Sequence, residues 1–149
     1  MLPTLKHHTR LYARTLLVVT MGLIISCTSA PRWDQEQRDL LEQRVRDRWQ
    51  ALVARDFEKA WEYTSPENRA IFSKQLYVKN FSYAVEWELT DVEIVNYDGD
   101  AAVASVVVRV MSKPTKQTSS ASVRLGSIPT NLRERWIFAE GQWWYSAKY

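Results

Sequence analysis

The sequence predicts an α+β fold in which N-terminal helices are followed by antiparallel strands, behind a cleaved signal peptide. Apolar residues recur at helical spacing between Leu41 and Leu52, and alternation of apolar and acidic residues begins at Val85. Ahead of both lies an uncharged apolar run over residues 15–25. Helices segregated from a run of strands along the chain are typical of the α+β class.

The first 26 residues have the pattern of a secretory signal peptide. Lys6, Arg10 and Arg14 form a basic head, an apolar run follows, and the segment ends in small residues. A transmembrane helix needs about 20 apolar residues, and polar residues return too early after Arg14 to allow that. A buried core helix is also disfavoured, because nothing downstream pairs with this run. We therefore predict a leader over residues 1–26.

The leader ends in the sequence Ile-Ile-Ser-Cys at residues 24–27, which resembles the lipobox of bacterial lipoproteins. The resemblance implies that Cys27, the only cysteine in the chain, carries a diacylglycerol and becomes an acylated N-terminus. The predicted membrane partner is therefore the bilayer itself, with about 0.8 kcal/mol gained per buried CH₂. The alternative is a chance cysteine behind an ordinary secretory leader.

Residues 27–33 are predicted to form a lipidated tether. At about 3.3–3.6 Å per residue, this tether keeps the folded part within roughly 20 Å of the lipid headgroups. Thr28 follows the cysteine where an aspartate would signal retention at the inner membrane. The lipoprotein resemblance therefore implies the periplasmic face of the outer membrane.

Charge and length describe the part of the chain after the leader. Three of the 20 Lys and Arg residues lie in the leader, and the remaining 17 match the 17 acids, which all follow Cys27. Formal neutrality gives no support for a nucleic-acid partner, which requires a basic face. Residues 34–149 are predicted to form one domain, long enough for a core without disulfides.

The first predicted helix starts with a capping box made by Asp34 and Gln37. Its apolar stripe consists of Leu41, Val45, Trp49 and Leu52. The charged residues between them are predicted to form a solvated face, which comprises Glu42, Arg44, Arg46, Asp47 and Arg48. Charges on such a face typically pair at i,i+4 spacing.

Two shorter helices are expected next. Asp56 caps the second, and Ser65 followed by Pro66 starts the third, which is predicted to run to about Gln75. Residues 76–83 are predicted to be less regular.

Five strands are then predicted. Alternation from Val85 indicates a half-buried strand with a bulge near Thr90, and Asp98-Gly99-Asp100 is typical of a hairpin turn. The other strands are predicted at 101–111, 122–128, 132–139 and 143–148, with a loop over 112–120. Pro129 is expected at a strand end or on an edge strand.

The order of elements and several local sequences resemble the NTF2-like (cystatin-like, SnoaL-like) superfamily. The sequences that carry the resemblance lie at 48–52, 56–61, 65–66, 135–138 and 141–145. The resemblance identifies the chain as a bacterial lipoprotein with an NTF2-like domain. It implies a strongly curved sheet whose concave face holds the helices, leaving a cone-shaped pocket. This fold hosts isomerases, dehydratases, transport factors and secretion subunits, so function must be argued from the site.

The residue inventory narrows the possible chemistry. His7 and His8 leave with the leader and Cys27 is predicted to be acylated, which excludes Ser-His-Asp and Cys-His nucleophile pairs and Cys/His zinc sites. The glycines that remain, at 99, 126 and 141, form no phosphate-binding loop. We therefore predict no catalytic residue, no metal and no cofactor.

A histidine-free enzyme remains an alternative, because ketosteroid isomerases of the NTF2-like fold use Asp and Tyr. The nearest candidates for such roles are Tyr63, Tyr77, Asp91 and Tyr97. None of them can be matched to that family's motif.

Aromatic side chains are the candidates for a binding pocket. The predicted lining residues are Trp61, Tyr63, Tyr77, Phe81, Trp87 and Trp136. Ordinary core packing is the alternative for all of them. Trp143 and Trp144 are adjacent on one predicted strand, so one is expected in the core and the other on the second face.

The leading functional hypothesis is a non-catalytic, membrane-anchored module of the cell envelope that binds a small apolar ligand or an envelope protein. One alternative is an isomerase or dehydratase acting on a small hydrophobic carbonyl compound. Another is an accessory subunit of a secretion or conjugation apparatus. A pocket filled by the protein's own rings would favour protein interaction over both ligand-based alternatives.

Overall fold

The computed structural model describes residues 32–81, 85–115 and 120–147. The helices are α1 (Gln35–Val53), α2 (Phe57–Trp61), α3 (Pro66–Ile71), α4 (Lys74–Asn80) and α5 (Ser120–Leu125). The strands are β1 (Val85–Asp98), β2 (Val103–Pro114), β3 (Ile128–Ala139) and β4 (Gln142–Ser146). The predicted leader, Cys27 and most of the tether lie outside the described residues. Within the described part, none of the helices has the length and apolar character needed to cross a bilayer.

The strands form one open antiparallel sheet in the order β1-β2-β3-β4, each strand pairing with the next along the chain. The register of β1 shifts between Leu89 and Asp91, which confirms the predicted bulge, and again between Ile94 and Asn96. The Asp98 carboxylate accepts hydrogen bonds from the backbone of Asp100 and Ala101, which closes the predicted hairpin turn.

Helix α1 covers the inner face of the sheet and contacts β1 and β4. Its predicted apolar stripe is buried, and the Asp34 carboxylate accepts from the Gln37 backbone N–H at 3.0 Å. The Gln37 side chain does not complete the capping box. Its Oε1 accepts instead from Trp143 Nε1 at 3.2 Å, which links the start of α1 to the last strand.

The next helices begin at capping side chains. Asp56 caps α2 and Ser65 caps α3 with Pro66 at the first helical position, as predicted. Helix α3 ends earlier than expected, because Phe72 is extended and Ser73 caps a new helix by accepting from the Leu76 N–H. The prediction of irregular structure after residue 75 was therefore wrong for α4.

The predicted strand at 122–128 is wrong, because residues 120–125 form the helix α5. Gly126 follows this helix at a φ of 60°, the left-handed conformation that glycine adopts after a helix C-terminus. Strand β3 starts two residues later at Ile128. Pro129 is its second residue and lies opposite Met111 of β2.

The coarse α+β prediction with an antiparallel sheet is confirmed, but the NTF2-like cone is wrong. The described strands number four, follow one another as an open meander, and do not close around a pocket. The hollow expected for a cone is occupied, since Leu41, Val45 and Trp136 are fully buried on the inner face. The identification as an NTF2-like lipoprotein is therefore corrected to an α+β domain with an open four-stranded antiparallel sheet. The structure does not bear on Cys27, which lies outside the described residues.

One edge of the sheet is covered by the segment between α2 and α3. The Tyr145 N–H donates to the Tyr63 carbonyl at 2.8 Å, and the Ser65 N–H donates to the Tyr145 carbonyl at 3.0 Å. This parallel bridge at Thr64 pairs the outer side of β4. It also brings the segment 61–69 against the last strand, where the site described below is formed.

Candidate functional site

The six predicted pocket residues fall into two groups. Tyr77, Phe81 and Trp87 belong to a ring cluster in which Phe81 stacks on Phe57 with centroids 4.7 Å apart. Trp136 is fully buried nearby on β3. These four residues pack against the core. The other two, Trp61 and Tyr63, lie at the covered edge of β4.

A buried ion pair lies beneath the ring cluster. Arg48 NH1 donates to Glu134 Oε1 at 2.7 Å, and Trp49 Nε1 donates to the same oxygen at 3.0 Å. Trp136 Nε1 donates to Glu134 Oε2 at 2.9 Å. Arg48 is 4% exposed, so its prediction as part of a solvated helix face was wrong. Its helical position, three residues after Val45, was the sequence signal for burial.

Both carboxylate oxygens of this pair accept hydrogen bonds from core side chains. Burial acts to lower the pKa of Arg48, but the carboxylate of Glu134 and the oxygens of Tyr77 and Tyr145 outweigh it, so the pKa of Arg48 lies above its ordinary value. The guanidinium also lies 3.7 Å from the Tyr145 ring centroid. Because both oxygens of Glu134 accept bonds from core side chains, the arrangement holds α1 to β3.

The residues considered for a histidine-free enzyme are not brought together. Asp91 pairs with Arg109 on the outer face of β1, whereas Tyr97 stacks on Trp33 at 4.3 Å on the other face. Tyr77 belongs to the buried network and Tyr63 to the β4 edge.

At the β4 edge, two arginines meet a group of aromatic rings. Arg44 Cζ lies 5.1 Å from the Tyr63 centroid and 5.2 Å from that of Trp144. Arg69 Cζ lies 4.8 Å from the Trp144 centroid and 5.5 Å from that of Trp61. We call these five residues the arginine–aromatic cluster. Such contacts contribute about 0.5–1 kcal/mol at exposed sites and more when desolvated.

The rings of this cluster are fixed by hydrogen bonds to the backbone. Trp144 Nε1 donates to the Ala139 carbonyl at 3.0 Å, and Trp61 Nε1 donates to the Phe72 carbonyl at 3.3 Å. Arg44 Nε donates to the Trp143 carbonyl at 2.6 Å. Trp144 is buried although it lies on the second face of β4, because the cluster wraps around this edge. Trp143 belongs to the core cluster and Trp144 does not, which confirms the prediction that one of the two rings lies in the core and the other on the second face.

The two guanidinium groups are close enough to affect each other. Burial lowers the pKa of Arg44 below its ordinary value, Tyr63 and Asp47 partly oppose this, and the like charge of Arg69 adds to the lowering. The Asp47 carboxylate accepts from Gln43 at 2.7 Å. Across the ranges that the structure describes, no carboxylate forms an ion pair with Arg44 or Arg69.

Two buried polar atoms in the same segment also lack hydrogen-bond partners among the described residues. They are Thr64 Oγ1, next to Tyr63, and Asn68 Nδ2, next to Arg69. Unpaired buried polar groups are rare and call for an explanation such as a bound water or ligand. The β4 edge therefore combines two arginines that form no ion pair among the described residues with two buried polar atoms that have no hydrogen-bond partner there.

Depressions elsewhere on the surface have different linings. One of about 260 Å³ lies on the outer face of the sheet, where Arg133 and Arg135 flank Val95 and Val107. Another, of about 470 Å³, lies beside α4 and is lined by polar and charged residues together with Val78. Trp87 contributes to a third, of about 140 Å³.

Sequence reasoning identified Trp61 and Tyr63 but missed the arginines of the cluster. Arg44 was placed on the solvated face of α1, yet it follows the buried Leu41 by three residues, which puts it at the border of the apolar stripe. Nothing near Arg69 in the sequence points to Trp144, because their contact depends on the bridge at Thr64.

Within residues 32–81, 85–115 and 120–147, no three His, Cys, Asp or Glu side chains are grouped so that they could hold a metal ion. No protein-family model and no curated protein matches the chain. Among solved structures, the chain is similar to a SEC-C motif containing protein from Rhodopseudomonas palustris. The two are 18% identical, with 71% of this chain and 74% of that chain covered and a TM-score of 0.42. A TM-score this low carries no argument about fold or activity.

Proposed function

We propose that this chain is a non-catalytic interaction module that is attached to a membrane at Cys27 and binds a partner protein through the arginine–aromatic cluster. The observation that carries the proposal is the placement of Arg44 and Arg69 against the same Trp144 ring with no carboxylate paired to either in the described structure. Two like charges held close together are unfavourable, and an acidic partner relieves that repulsion.

The interior of the domain supports a protein partner over a small apolar ligand. Phe57 and Phe81 are stacked, Tyr77 contacts Phe81 at 4.8 Å, and Trp87 packs edge-on against Trp49 at 6.1 Å. Rings packed in this way already occupy the space that an apolar ligand would fill. Arginine and tryptophan at a partly buried surface are, by contrast, the residue types enriched at the energetic centres of protein interfaces.

The membrane attachment rests on the leader. A basic head, an apolar run and Cys27 directly after the small residue Ser26 are the features that a leader with an acylated cysteine requires. The proposal is that residues 1–26 are removed, residues 27–33 tether the domain of residues 34–149, and the module works at the periplasmic face of the outer membrane. An accessory subunit of an envelope apparatus is one form that such a module takes.

The attachment is tested by the mass of the N-terminal peptide from the purified full chain. For the wild type, the proposal predicts an N-terminal peptide that begins at Cys27 and carries acyl chains. In Cys27→Ser, no peptide from this region should carry acyl chains. Acyl chains that persist in Cys27→Ser, or an unprocessed N-terminus, would overturn this part.

The partner surface is tested by chemical cross-linking in membranes from cells that express the full chain. Arg44→Gln combined with Arg69→Gln is expected to remove a cross-linked species that the wild type forms. The matched control is Arg133→Gln combined with Arg135→Gln, which removes two arginines from the outer face of the sheet. Loss of the species in the control alone, or its persistence in the cluster variant, would contradict the proposal.

A further inference from the structure

From the geometry of the arginine–aromatic cluster we infer that it binds a carboxylate group, carried by the partner next to an apolar side chain, between Arg44 and Arg69. This inference rests on the proposed function and names the chemistry of the ligand at the same site. The carboxylate is either a chain terminus or an Asp or Glu side chain, and both present the same planar group.

The two arginines have N–H groups that can donate hydrogen bonds to a ligand. A guanidinium has five N–H donors in a fixed planar fork, which matches a carboxylate through two parallel hydrogen bonds. Arg44 uses its Nε toward the Trp143 carbonyl. That bond holds the side chain, and its two terminal NH₂ groups form no hydrogen bond with the described residues. Arg69 contributes a second fork at the same ring.

The positive charges of Arg44 and Arg69 repel each other. The charge of Arg69 lowers the pKa of Arg44 in addition to the effect of burial. A carboxylate between them turns this repulsion into two attractions, and a partly buried site screens these attractions less than open solvent does.

Aromatic rings lie beside both charged groups. Tyr63 supplies a flat apolar wall beside Arg44, Trp61 supplies one beside Arg69, and Trp144 supplies one beside both guanidinium groups. A ligand that meets these walls gains from an apolar group beside its carboxylate. The unpaired amide of Asn68, adjacent to Arg69 in the chain, is a further donor with an unmet hydrogen-bonding requirement.

These arguments favour carboxylate over phosphate. A flat carboxylate accepts two parallel hydrogen bonds from a guanidinium fork, and the aromatic rings that lie near Arg44 and Arg69 offer apolar surface beside it. Phosphate is tetrahedral and more strongly hydrated, and gains nothing from the apolar walls. Phosphate is therefore included as an arm of the test.

The test is a titration of the full chain in detergent micelles, followed by NMR of ¹⁵N-labelled arginine side chains at constant ionic strength. The probe is butyrate, which carries one carboxylate on a short apolar tail, and its neutral isostere is butyramide. Butyrate is expected to shift the Nε–H resonances of Arg44 and Arg69 in a saturable way, whereas butyramide does not. Inorganic phosphate is expected to bind more weakly than butyrate.

Variants test whether the planar guanidinium group of Arg69 is responsible for butyrate binding. Arg69→Gln is expected to weaken butyrate binding by about tenfold or more, because it removes hydrogen bonds between charged groups. Arg69→Lys keeps the charge but not the fork, and is expected to weaken binding as well. Arg133→Gln is the matched control and should leave the titration unchanged. Equal binding of butyramide, tighter binding of phosphate, or an unaltered titration in Arg69→Gln overturns the inference.

The outcomes also separate this inference from the proposed function. Cross-linking that depends on Arg44 and Arg69, together with no butyrate binding, would refute the carboxylate and leave the partner surface intact. Butyrate binding with cross-linking that does not depend on these arginines would refute the partner surface and leave an anion site.

Discussion

Replacement of Glu134 by glutamine tests the buried network that joins α1 to the sheet. The substitution keeps the size and shape of the side chain, so it creates no cavity. It removes the negative charge that faces Arg48 at 2.7 Å. It also replaces one acceptor oxygen with an NH₂ group, although both oxygens accept bonds from tryptophan N–H groups. The new NH₂ group then faces one of these tryptophan N–H groups, so two hydrogen-bond donors meet.

The expected loss follows from these two changes. Removing one partner of a buried ion pair costs about 3–5 kcal/mol, because the other charge stays buried without compensation. An unsatisfied buried donor adds about 1–3 kcal/mol, and the two terms share the same group, so they do not simply add. We expect Glu134→Gln to lower the free energy of unfolding by about 4–6 kcal/mol, a large part of the roughly 5–15 kcal/mol typical of a domain.

The assay is urea unfolding followed by tryptophan fluorescence. With a slope of about 2 kcal/mol per molar urea, the midpoint is expected to fall by roughly 2–3 M. The matched control is Glu93→Gln, which breaks an exposed pair with Arg109 on the outer face of β1 and should leave the urea midpoint almost unchanged, because solvent screens such pairs. Equal midpoint shifts in the two variants would refute the reasoning.

Substitutions at three further positions test local features of the chain by urea unfolding. Asp34→Ala removes the cap of α1 and should lower the free energy of unfolding by about 1 kcal/mol, whereas Asp34→Asn should have little effect; equal losses would contradict the capping role. Ala102→Gly relieves a φ of 52° and should raise stability by about 0.5–1 kcal/mol, and a loss would show that this turn is not strained. Burial and Asp98 raise the pKa of Tyr97 above its usual 10.0. Folded Tyr97 therefore keeps its proton where the unfolded chain releases it, so stability should fall as pH rises through about 10, and less steeply in Tyr97→Phe; identical profiles would contradict this.

The sequence predicted those parts of the fold that depend on neighbours along the chain. The caps at Asp34, Asp56 and Ser65 are each made within three residues, and the apolar stripe of α1 repeats at helical spacing. The turn at Asp98 closes on itself through its own carboxylate. Such signals are local, so they can be found without knowledge of the tertiary structure.

The parts that failed depend on contacts between distant residues. Arg48 pairs with Glu134 across 86 positions of the chain, and no pattern near Arg48 names its partner. Residues 120–125 form the helix α5 where a strand was predicted. The described sheet therefore has four strands instead of five and does not form the predicted cone. Trp61 and Tyr63 were identified as candidates for a site, but their neighbours Arg44 and Arg69 were missed because α1 and β4 meet only in the folded chain.

The most direct test of the proposed partner surface places a photo-crosslinking amino acid at Ala70, an exposed position next to Arg69. The control position is Val95, which is 51% exposed on the outer face of the sheet. In cells that express the full chain, illumination is expected to give a cross-linked partner from position 70 that disappears when Arg44 and Arg69 are both replaced by glutamine. A cross-linked partner from position 95 and none from position 70 would contradict the account.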